Sequence, residues 1–191
     1  MNPNVTLAFL EAKDLERGLE ALTQNSKYLD GLALKPREGV FKAIENAVYS
    51  EKLKGVRALL LLGISSNLAE EANEVAGLLR DTEILMATDD VEEIAKIKEV
   101  VNQGNLRVGM VVNHPTVSLN AYVKARADFI VMPPTLVRGR VLTESRARKV
   151  RIIARLVNDV ATCAKLIEAG IYGIVTTVPT LKREARKFLK H

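Results

Sequence analysis

The sequence has one cysteine, no tryptophan and few other aromatic residues. Cys163 has no partner for an intrachain disulfide, and a lone cysteine cannot form a cysteine cluster for a metal. Phenylalanine and tyrosine make up only 4% of the chain, so the rings on which single-stranded nucleic acid stacks are poorly supplied. We therefore expect neither a disulfide-stapled fold nor base-stacking recognition, and we interpret Cys163 as a small core residue.

Long apolar runs are also missing. The leucine run at residues 59–62 is far shorter than the roughly 20 residues that a membrane-spanning helix needs. The first residues lack the basic segment and apolar stretch of a secretory signal. These features predict a cytoplasmic protein without membrane insertion.

The common nucleotide-binding and nucleophile motifs are absent as well. There is no Gly-rich P-loop, no dinucleotide fingerprint and no Ser-His-Asp spacing. With 191 residues, of which 48% are apolar and 27% charged, the composition is that of an ordinary globular protein. We expect one domain over residues 1–191, large enough for a real core.

Positive charge is concentrated in the last third of the chain. Residues 1–133 carry 15 Lys/Arg against 19 Asp/Glu, whereas residues 134–191 carry 13 against 4, so the balance changes from −4 to +9. Such a concentration attracts anions, from phosphate esters to nucleic acid. The alternative is a set of solvated helix faces without a ligand. The cations include Arg138, Arg140, Arg146, Arg148, Lys149, Arg151 and those of residues 182–190.

Residues 150–179 have the pattern of a β-α-β unit. One apolar run ends at Asn158 and Asp159, an amphipathic stretch stops at Gly170, and a second apolar run ends at Thr176 and Thr177. A helix between two such runs indicates parallel strands. Because α/β sheets and barrels bind ligands at the carboxyl ends of their strands, these polar residues mark a candidate site.

The same alternation runs through the whole chain. Eight strands and eight helices in β-α order predict a compact (β/α)8 TIM-type barrel, with about 24 residues per unit and little room for inserted loops. If one strand is misassigned, an incomplete barrel or a doubly wound sheet is the alternative. The predicted strands cover residues 6–12, 29–35, 56–63, 83–88, 106–113, 129–133, 151–158 and 173–178. The predicted helices cover residues 15–24, 39–54, 68–80, 91–102, 117–126, 136–149, 160–169 and 181–189.

Small polar residues and glycines mark the ends of several predicted helices. Residues that suit the N-cap precede an apolar helical face at Asp14, Ser66, Asp90, Thr116, Asp159 and Thr180. Gly55, Gly104 and Gly170 suit the stops.

In a barrel, the residues just past each strand gather at one mouth, and here they are rich in phosphate-binding types. His114, the only histidine besides the last residue His191, stands at a strand end, where it is a candidate acid or base or else a structural hydrogen-bonded residue. Asp89 and Asp90 could bind a cation with Glu11, but Asp90 also suits a helix cap. We take as candidate catalytic residues His114, Glu11 and Asp89, and as candidate phosphate-binding residues Lys35, Asn158, Thr176 and Thr177, with no metal-ligand set assigned.

The last third of the chain resembles a known signature. Residues 156–158 read Leu-Val-Asn, and after a helix residues 170–179 read Gly-Ile-Tyr-Gly-Ile-Val-Thr-Thr-Val-Pro. This is similar to the end of the barrel in glycerophosphodiester phosphodiesterases, which reads Trp-Thr-Val-Asn, a helix and Gly-Val-Asp-Gly-Ile-Ile-Thr-Asp-x-Pro. Arg155 stands where that family has Trp, Tyr172 where it has Asp, and Thr177 where it has a second Asp.

The resemblance implies a phosphodiesterase site, but this chain departs from the family pattern. The family has His-Arg on its first strand, Glu-x-Asp on its second and a later histidine, with carboxylates that hold a divalent cation. Here no histidine precedes His114, and the strand at residues 31–36 resembles the family's Glu-x-Lys strand with Ala33 in place of the metal ligand and Lys35 retained. A general acid or base typically contributes about 10²–10⁴-fold in rate, so impaired or lost hydrolysis is expected. Mg²⁺ or Ca²⁺ is expected only if the family mechanism survives.

Three functions remain open from the sequence. The first is a divergent barrel, similar to glycerophosphodiester phosphodiesterases of lipid metabolism, that binds a phosphate-containing small molecule with impaired catalysis. The second is a non-enzymatic barrel that binds RNA or another polyanion through its basic last third. The third is an unrelated phosphate-handling lyase or isomerase that uses Lys35 and Asp89. The oligomeric state is left open.

Overall fold

The computed structural model describes residues 6–114 and 119–189, which form eight strands alternating with eight helices. The strands are β1 (Leu7–Ala12), β2 (Gly31–Leu34), β3 (Ala58–Leu62), β4 (Glu83–Thr88), β5 (Leu106–Val111), β6 (Phe129–Met132), β7 (Arg151–Arg155) and β8 (Gly173–Thr176). The helices are α1 (Leu15–Gln24), α2 (Val40–Tyr49), α3 (Ala69–Leu78), α4 (Val91–Val100), α5 (Leu119–Lys124), α6 (Gly139–Ala147), α7 (Val160–Glu168) and α8 (Leu181–Phe188). Short 3₁₀ helices, Ser66–Leu68 and Pro134–Leu136, precede α3 and α6.

The strands close into a barrel. Each strand pairs in parallel with its neighbours in chain order, and β1 also pairs with β8, with Leu7 opposite Gly173 and Leu10 opposite Thr176. The predicted compact (β/α)8 barrel is therefore confirmed. The carboxyl ends of all eight strands meet at one face, which we call the mouth; the opposite face is called the base.

Several elements end earlier than the sequence pattern predicts. The predicted strand at residues 151–158 stops at Arg155, because Leu156 adopts a left-handed φ of 64° that interrupts the extended backbone. The predicted helix at residues 39–54 stops at Tyr49, since Ser50 caps it through backbone hydrogen bonds and Glu51 has φ 56°. Apolar periodicity continues past these points, but backbone geometry decides where the regular hydrogen bonding stops.

The aspartates predicted as helix caps act as caps. Asp14 accepts a hydrogen bond from the Arg17 amide, Asp90 from that of Glu92 and Asp159 from that of Thr162, at 2.8–2.9 Å. Each satisfies an amide that the first turn of a helix leaves without an intrahelical partner. The carboxyl groups that might have served as ligands at these positions are thus committed to helix starts.

The remaining predicted helix signals behave differently. Ser66 begins a 3₁₀ helix, and the Thr180 hydroxyl donates to Glu184 instead of capping α8. Gly170 follows α7 with φ 69°, the left-handed conformation that suits the residue after a helix, whereas Gly104 lies beyond the end of α4. Thr116 lies outside the described residues.

The barrel has two apolar cores, one between the sheet and the helices and one inside the barrel. In the inner core the rings of Phe9 and Phe129 occupy space that facing glycines leave free. A Cβ added at Gly109 would lie 2.4 Å from the carbonyl oxygen of Phe129, and one at Gly173 would lie 2.9 Å from the Phe9 ring. The two rings therefore fill the middle of a narrow barrel, and glycine is required opposite them.

A charged cluster closes the base of the inner core. Glu83, at the start of β4, lies 2.7 Å from Arg151 Nη1 and 3.7 Å from Arg107 Nε. The Tyr172 hydroxyl donates to the second Glu83 oxygen, and the Arg151 guanidinium carbon lies 4.5 Å from the centre of the Tyr172 ring. Burial, and then the hydrogen bond to Glu83, raise the pKa of the Tyr172 phenol. We call these four residues the base cluster.

The helices that surround the barrel have six to ten residues each, and within residues 6–114 and 119–189 none is long and apolar enough to cross a membrane. Cys163 is buried on the inner side of α7. Burial raises the pKa of its thiol to about 11, so at neutral pH it stays protonated and packs as a small apolar group.

Candidate functional site at the barrel mouth

Polar side chains collect at the mouth because the inner face of each strand continues past the inner core. Glu11 and Arg155 each come two positions after a residue of the inner core. Glu11 is the second-last residue of β1, and Arg155 is the last residue of β7. The residues past the other strand ends follow the same spacing. Lys35 comes two residues after Ala33, Asp89 after Ala87, Asn113 after Val111 and Thr177 after Val175.

An ion pair between Glu11 and Arg155 spans the mouth. Arg155 Nη2 donates to Glu11 Oε1 at 2.7 Å. The Glu11 side chain is only 22% exposed and the Arg155 side chain only 20%. Their strands flank β8, where Val175 pairs with both Phe9 of β1 and Arg155 of β7. The predicted candidate Glu11 therefore lies at the mouth, and its cationic partner is a residue that the sequence marked only as a departure from a family signature.

Two atoms of this ion pair have unused hydrogen-bonding capacity. Glu11 Oε2 and Arg155 Nε are buried and have no hydrogen-bond partner. A buried donor or acceptor without a partner costs free energy, about 1–3 kcal/mol for a neutral group and more for a charged one. A ligand that brings an acceptor to Arg155 and a donor to Glu11 would satisfy both atoms.

A pocket of about 200 Å³ opens beside Arg155, between the ends of β5, β6 and β7. Its polar groups are Arg155 and Asn113, and its walls are largely apolar, with Met132, Pro133 and Leu156 among them. Leu156 is 52% exposed, and its left-handed φ is uncommon for a bulky residue. Strained backbone of this kind often occurs at ligand sites, and here it places Leu156 at the pocket rim.

The other predicted catalytic residues, Asp89 and His114, and the predicted phosphate-binding residue Lys35 are exposed beyond the carboxyl ends of their strands. Asp89 lies between the end of β4 and Asp90, and Asp90 is the cap of α4. His114 is exposed three residues after the end of β5. Lys35 is exposed one residue after β2. The strand order puts Lys35 next to β1 and Glu11, and Asp89 and His114 on the far side of the mouth.

Asn158, Thr176 and Thr177, predicted to bind phosphate, come together in the structure. Asn158 Oδ1 accepts from the Thr176 hydroxyl and from the Thr177 amide, both at 3.0 Å. Thr176 also accepts from the Val178 amide, and it faces the helix layer with only 1% of its surface exposed. Thr176 and Asn158 therefore tie the loops after β7 and β8 together, whereas Thr177 is exposed and follows the inner-facing Val175.

The residues at the mouth do not fit the divalent cation that the family resemblance implies. Within the described part of the chain, no group of three or more His, Cys, Asp or Glu side chains could hold a metal ion. The Glu11 carboxylate is paired with Arg155, and Ala33, which occupies the resembling ligand position, is buried in the inner core. We therefore assign no chemical step to a metal.

The basic residues of the last third lie in different parts of the molecule. Arg151 belongs to the base cluster, Arg155 lies at the mouth and Lys182 is buried against Asp30. Arg146 donates to the carbonyl of Ala169. The excess of positive charge in the sequence is thus divided between structural pairs and separate surface sites.

Solved structures provide the comparison. The chain superposes on a putative glycerophosphoryl diester phosphodiesterase from Silicibacter pomeroyi with TM-score 0.61 and 17% identity, over 78% of this chain and 56% of that one. A glycerophosphodiester phosphodiesterase from Parabacteroides distasonis gives TM-score 0.65 and 10% identity, over 97% and 98% of the two chains. The fold is one that glycerophosphodiester phosphodiesterases adopt. The relationship suggested by the C-terminal signature is thus supported at the level of the fold.

A third structure carries a ligand. It is a phosphodiesterase from Oleispira antarctica in complex with the product sn-glycerol-3-phosphate, with TM-score 0.54 and 14% identity, over 80% of this chain and 61% of that one. This chain therefore spans less than two thirds of the length of two of these three proteins. No protein-family model and no curated protein sequence matches the chain.

Proposed function

We propose that the mouth binds a phosphate ester of the glycerophosphodiester class and that hydrolysis there is impaired. The observation that carries the proposal is Arg155, a largely buried guanidinium with an unused Nε donor, beside a pocket at the end of the barrel where this fold binds ligands. Guanidinium groups match the oxygens of phosphate in geometry and charge. The fold shared with phosphodiesterases and the C-terminal signature support the same ligand class.

The phosphate is held in this proposal by Arg155, Lys35 and Thr177. Arg155 offers a fork of donors, Lys35 a mobile point charge and Thr177 a hydroxyl. Asn158 and Thr176 contribute by fixing the loop that carries Thr177, through the hydrogen bonds at 3.0 Å. The apolar pocket wall around Leu156 leaves room for the organic part of the ester.

Hydrolysis in this proposal depends on His114, Glu11 and Asp89. His114 can supply one acid or base, and the second histidine of the resembling family has no counterpart on β1, where Glu11 forms an ion pair. The Glu11 carboxylate is committed to its ion pair with Arg155 and is not a free general acid for a leaving group. We therefore expect turnover well below about 1 s⁻¹, the lower end of ordinary enzymes.

Binding is tested by calorimetric titration with sn-glycerol 3-phosphate. We expect binding to the wild type and a loss of about tenfold or more in affinity for Lys35→Ala, since the lysine meets the phosphate directly. Lys54→Ala is the matched control, because Lys54 is 82% exposed near the base. Equal affinity of both variants and the wild type, or no binding to any of them, would refute the proposal.

Activity is tested with glycerophosphocholine in the presence of Mg²⁺, Ca²⁺ or EDTA. We expect the same slow release of choline in all three, and none from His114→Ala. Turnover in the ordinary range that disappears with EDTA would show that the mouth assembles a metal site after all.

The alternative of RNA binding stays a prediction from the sequence. A gel-shift series across salt concentration tests it, because neutralising about four phosphates gives a log-log slope near −3 for single strands. Neutralising variants should leave Arg151 unchanged, since its loss would disturb the base cluster.

A further inference from the structure

A second basic site lies away from the mouth, in a cavity of about 300 Å³ between α8 and the segment that joins α1 to β2. Asp30 immediately precedes the first residue of β2, so this cavity lies toward the base. Five cations and one carboxylate line it: Lys27, Lys182, Arg183, Arg186, Lys187 and Asp30. We call it the α8 cavity.

The Asp30 carboxylate cannot also pair with most of these cations, because both of its oxygens already accept hydrogen bonds. Asp30 Oδ1 accepts from Arg57 at 2.7 Å, and Oδ2 accepts from Lys182 Nζ at 2.6 Å and from the Ala8 amide at 2.9 Å. Asp30 and Lys182 are 9% and 8% exposed. Burial lowers the pKa of Lys182 against the opposing effect of Asp30, and the charge of Arg186 lowers it further.

Of the other four cations, Arg183 has a carboxylate at the edge of ion-pair distance, since its Nη2 lies 4.0 Å from Glu184 Oε1. Among residues 6–114 and 119–189, no carboxylate lies within 4 Å of the charged group of Lys27, Arg186 or Lys187. Lys182 and Arg186 are four residues apart on α8, as are Arg183 and Lys187, a spacing at which like charges repel. A bound anion would relieve this repulsion.

Arg183 is held in place and has a free donor. Its guanidinium carbon lies 4.6 Å from the centre of the Tyr28 ring, and its Nη1 donates to the Tyr28 hydroxyl at 3.1 Å. Its Nε is buried and has no hydrogen-bond partner. A guanidinium fixed on an aromatic ring, with a donor to spare, is suited to a phosphate oxygen.

We propose that the α8 cavity binds the phosphate group of a small molecule, either inorganic phosphate or a phosphomonoester. The Arg183 guanidinium donates to one phosphate oxygen, and Lys27, Arg186 and Lys187 neutralise the charge of the phosphate. Asp30 and Lys182 form the buried floor of the cavity. The site is independent of ligand binding at the mouth.

Amide chemical shifts localise the binding. We expect inorganic phosphate, at ionic strength matched with KCl, to shift the amides of residues 27–30 and 182–187 along a saturable curve. A parallel titration with sn-glycerol 3-phosphate distinguishes the two sources, since tighter binding of the ester at the same amides identifies a phosphomonoester. Shifts of residues 11–14, 155–158 and 176–178 report the mouth separately, so that failure at one site is distinguishable from failure at the other.

A matched pair of variants tests the charge. Arg186→Gln with Lys187→Gln should weaken phosphate binding at the α8 cavity about tenfold or more, whereas Arg148→Gln with Lys149→Gln, which removes the same charge from an exposed part of the same basic third, should leave it unchanged. The proposal would be overturned if both pairs of substitutions had equal effects on phosphate binding. It would also be overturned if KCl alone reproduced the amide chemical-shift changes, or if these changes were spread over all basic surfaces.

Discussion

The two ends of the barrel interior are both closed by charged side chains, but they use them differently. At the base, Glu83 is shared by two arginines and a tyrosine, and both of its oxygens have partners. At the mouth, one carboxylate meets one guanidinium, and an oxygen and a nitrogen of that pair have none. Saturated polar groups favour stability, whereas unsaturated ones favour a ligand. The difference fits a structural role for the base and the ligand binding that we propose for the mouth.

The largest effect should come from breaking the base cluster. Glu83→Ala leaves Arg151 and Arg107 facing each other without their shared carboxylate, and we expect a loss of about 3 kcal/mol in the free energy of unfolding, measured in urea. Glu99→Ala, at an exposed position on α4, should change it by less than about 0.5 kcal/mol. A small loss in both would mean that the base cluster is not a structural closure.

The Tyr172 hydroxyl offers a finer test of the base. Tyr172→Phe removes its hydrogen bond to Glu83 and should cost about 2 kcal/mol at neutral pH. Because burial and the hydrogen bond to Glu83 raise the folded pKa of Tyr172 above the usual value of about 10 for a tyrosine, the phenol stabilises the fold fully below pH 10 and loses that contribution as the pH rises further. Unfolding curves from pH 8 to 11 should therefore fall more steeply for the wild type than for Tyr172→Phe, and parallel curves would contradict the assignment.

At the mouth, substitution should change binding more than stability. Arg155→Gln should weaken sn-glycerol 3-phosphate binding about tenfold, equivalent to about 1.4 kcal/mol. Glu11→Gln should strengthen it several-fold, since it removes the charge that competes with phosphate for Arg155. Measured by calorimetry, the two substitutions should change the affinity in opposite directions if the comparison between the two ends is right. They should change it in the same direction if the ion pair only holds the mouth closed.

The smallest effect should come from Thr176→Val. The change keeps the shape of the side chain but leaves Asn158 Oδ1 and the Val178 amide with one partner fewer, which should cost about 1 kcal/mol of stability. Affinity for the phosphate ester should fall only about two- to threefold, through the loop that carries Thr177. A loss as large as that of Lys35→Ala would show that Thr176 contacts the ligand directly.

Much of the fold is readable from the sequence because its signals are local. Apolar runs, aspartate caps and glycine stops each involve a few consecutive residues, so the order and number of the elements follow from them. The element ends are less readable. Leu156 continues an apolar pattern while its backbone turns left-handed, and nothing in its neighbours' identities announces that turn.

The site is only partly readable for a different reason. The rule that ligands bind at strand ends places Glu11, Lys35 and Asp89 at the mouth, but which side chains pair there depends on the register of strands far apart in the chain. Glu11 and Arg155 are 144 residues apart and meet only because β8 lies between their strands. Side chains alternate between the two faces of a strand, so Arg155, two residues after Ile153, lies on the inner face. This alternation would have identified Arg155 as a residue of the mouth, but not Glu11 as its partner.

The rings of Phe9 and Phe129, set against glycines, have a consequence for water. Together with the apolar side chains of the inner core they fill the middle of the barrel and separate the base cluster from the mouth. Water that reaches the base cluster therefore enters from the base, and water that reaches the Glu11–Arg155 pair enters from the mouth. A ligand at the mouth is thus separated from the base cluster by packed side chains.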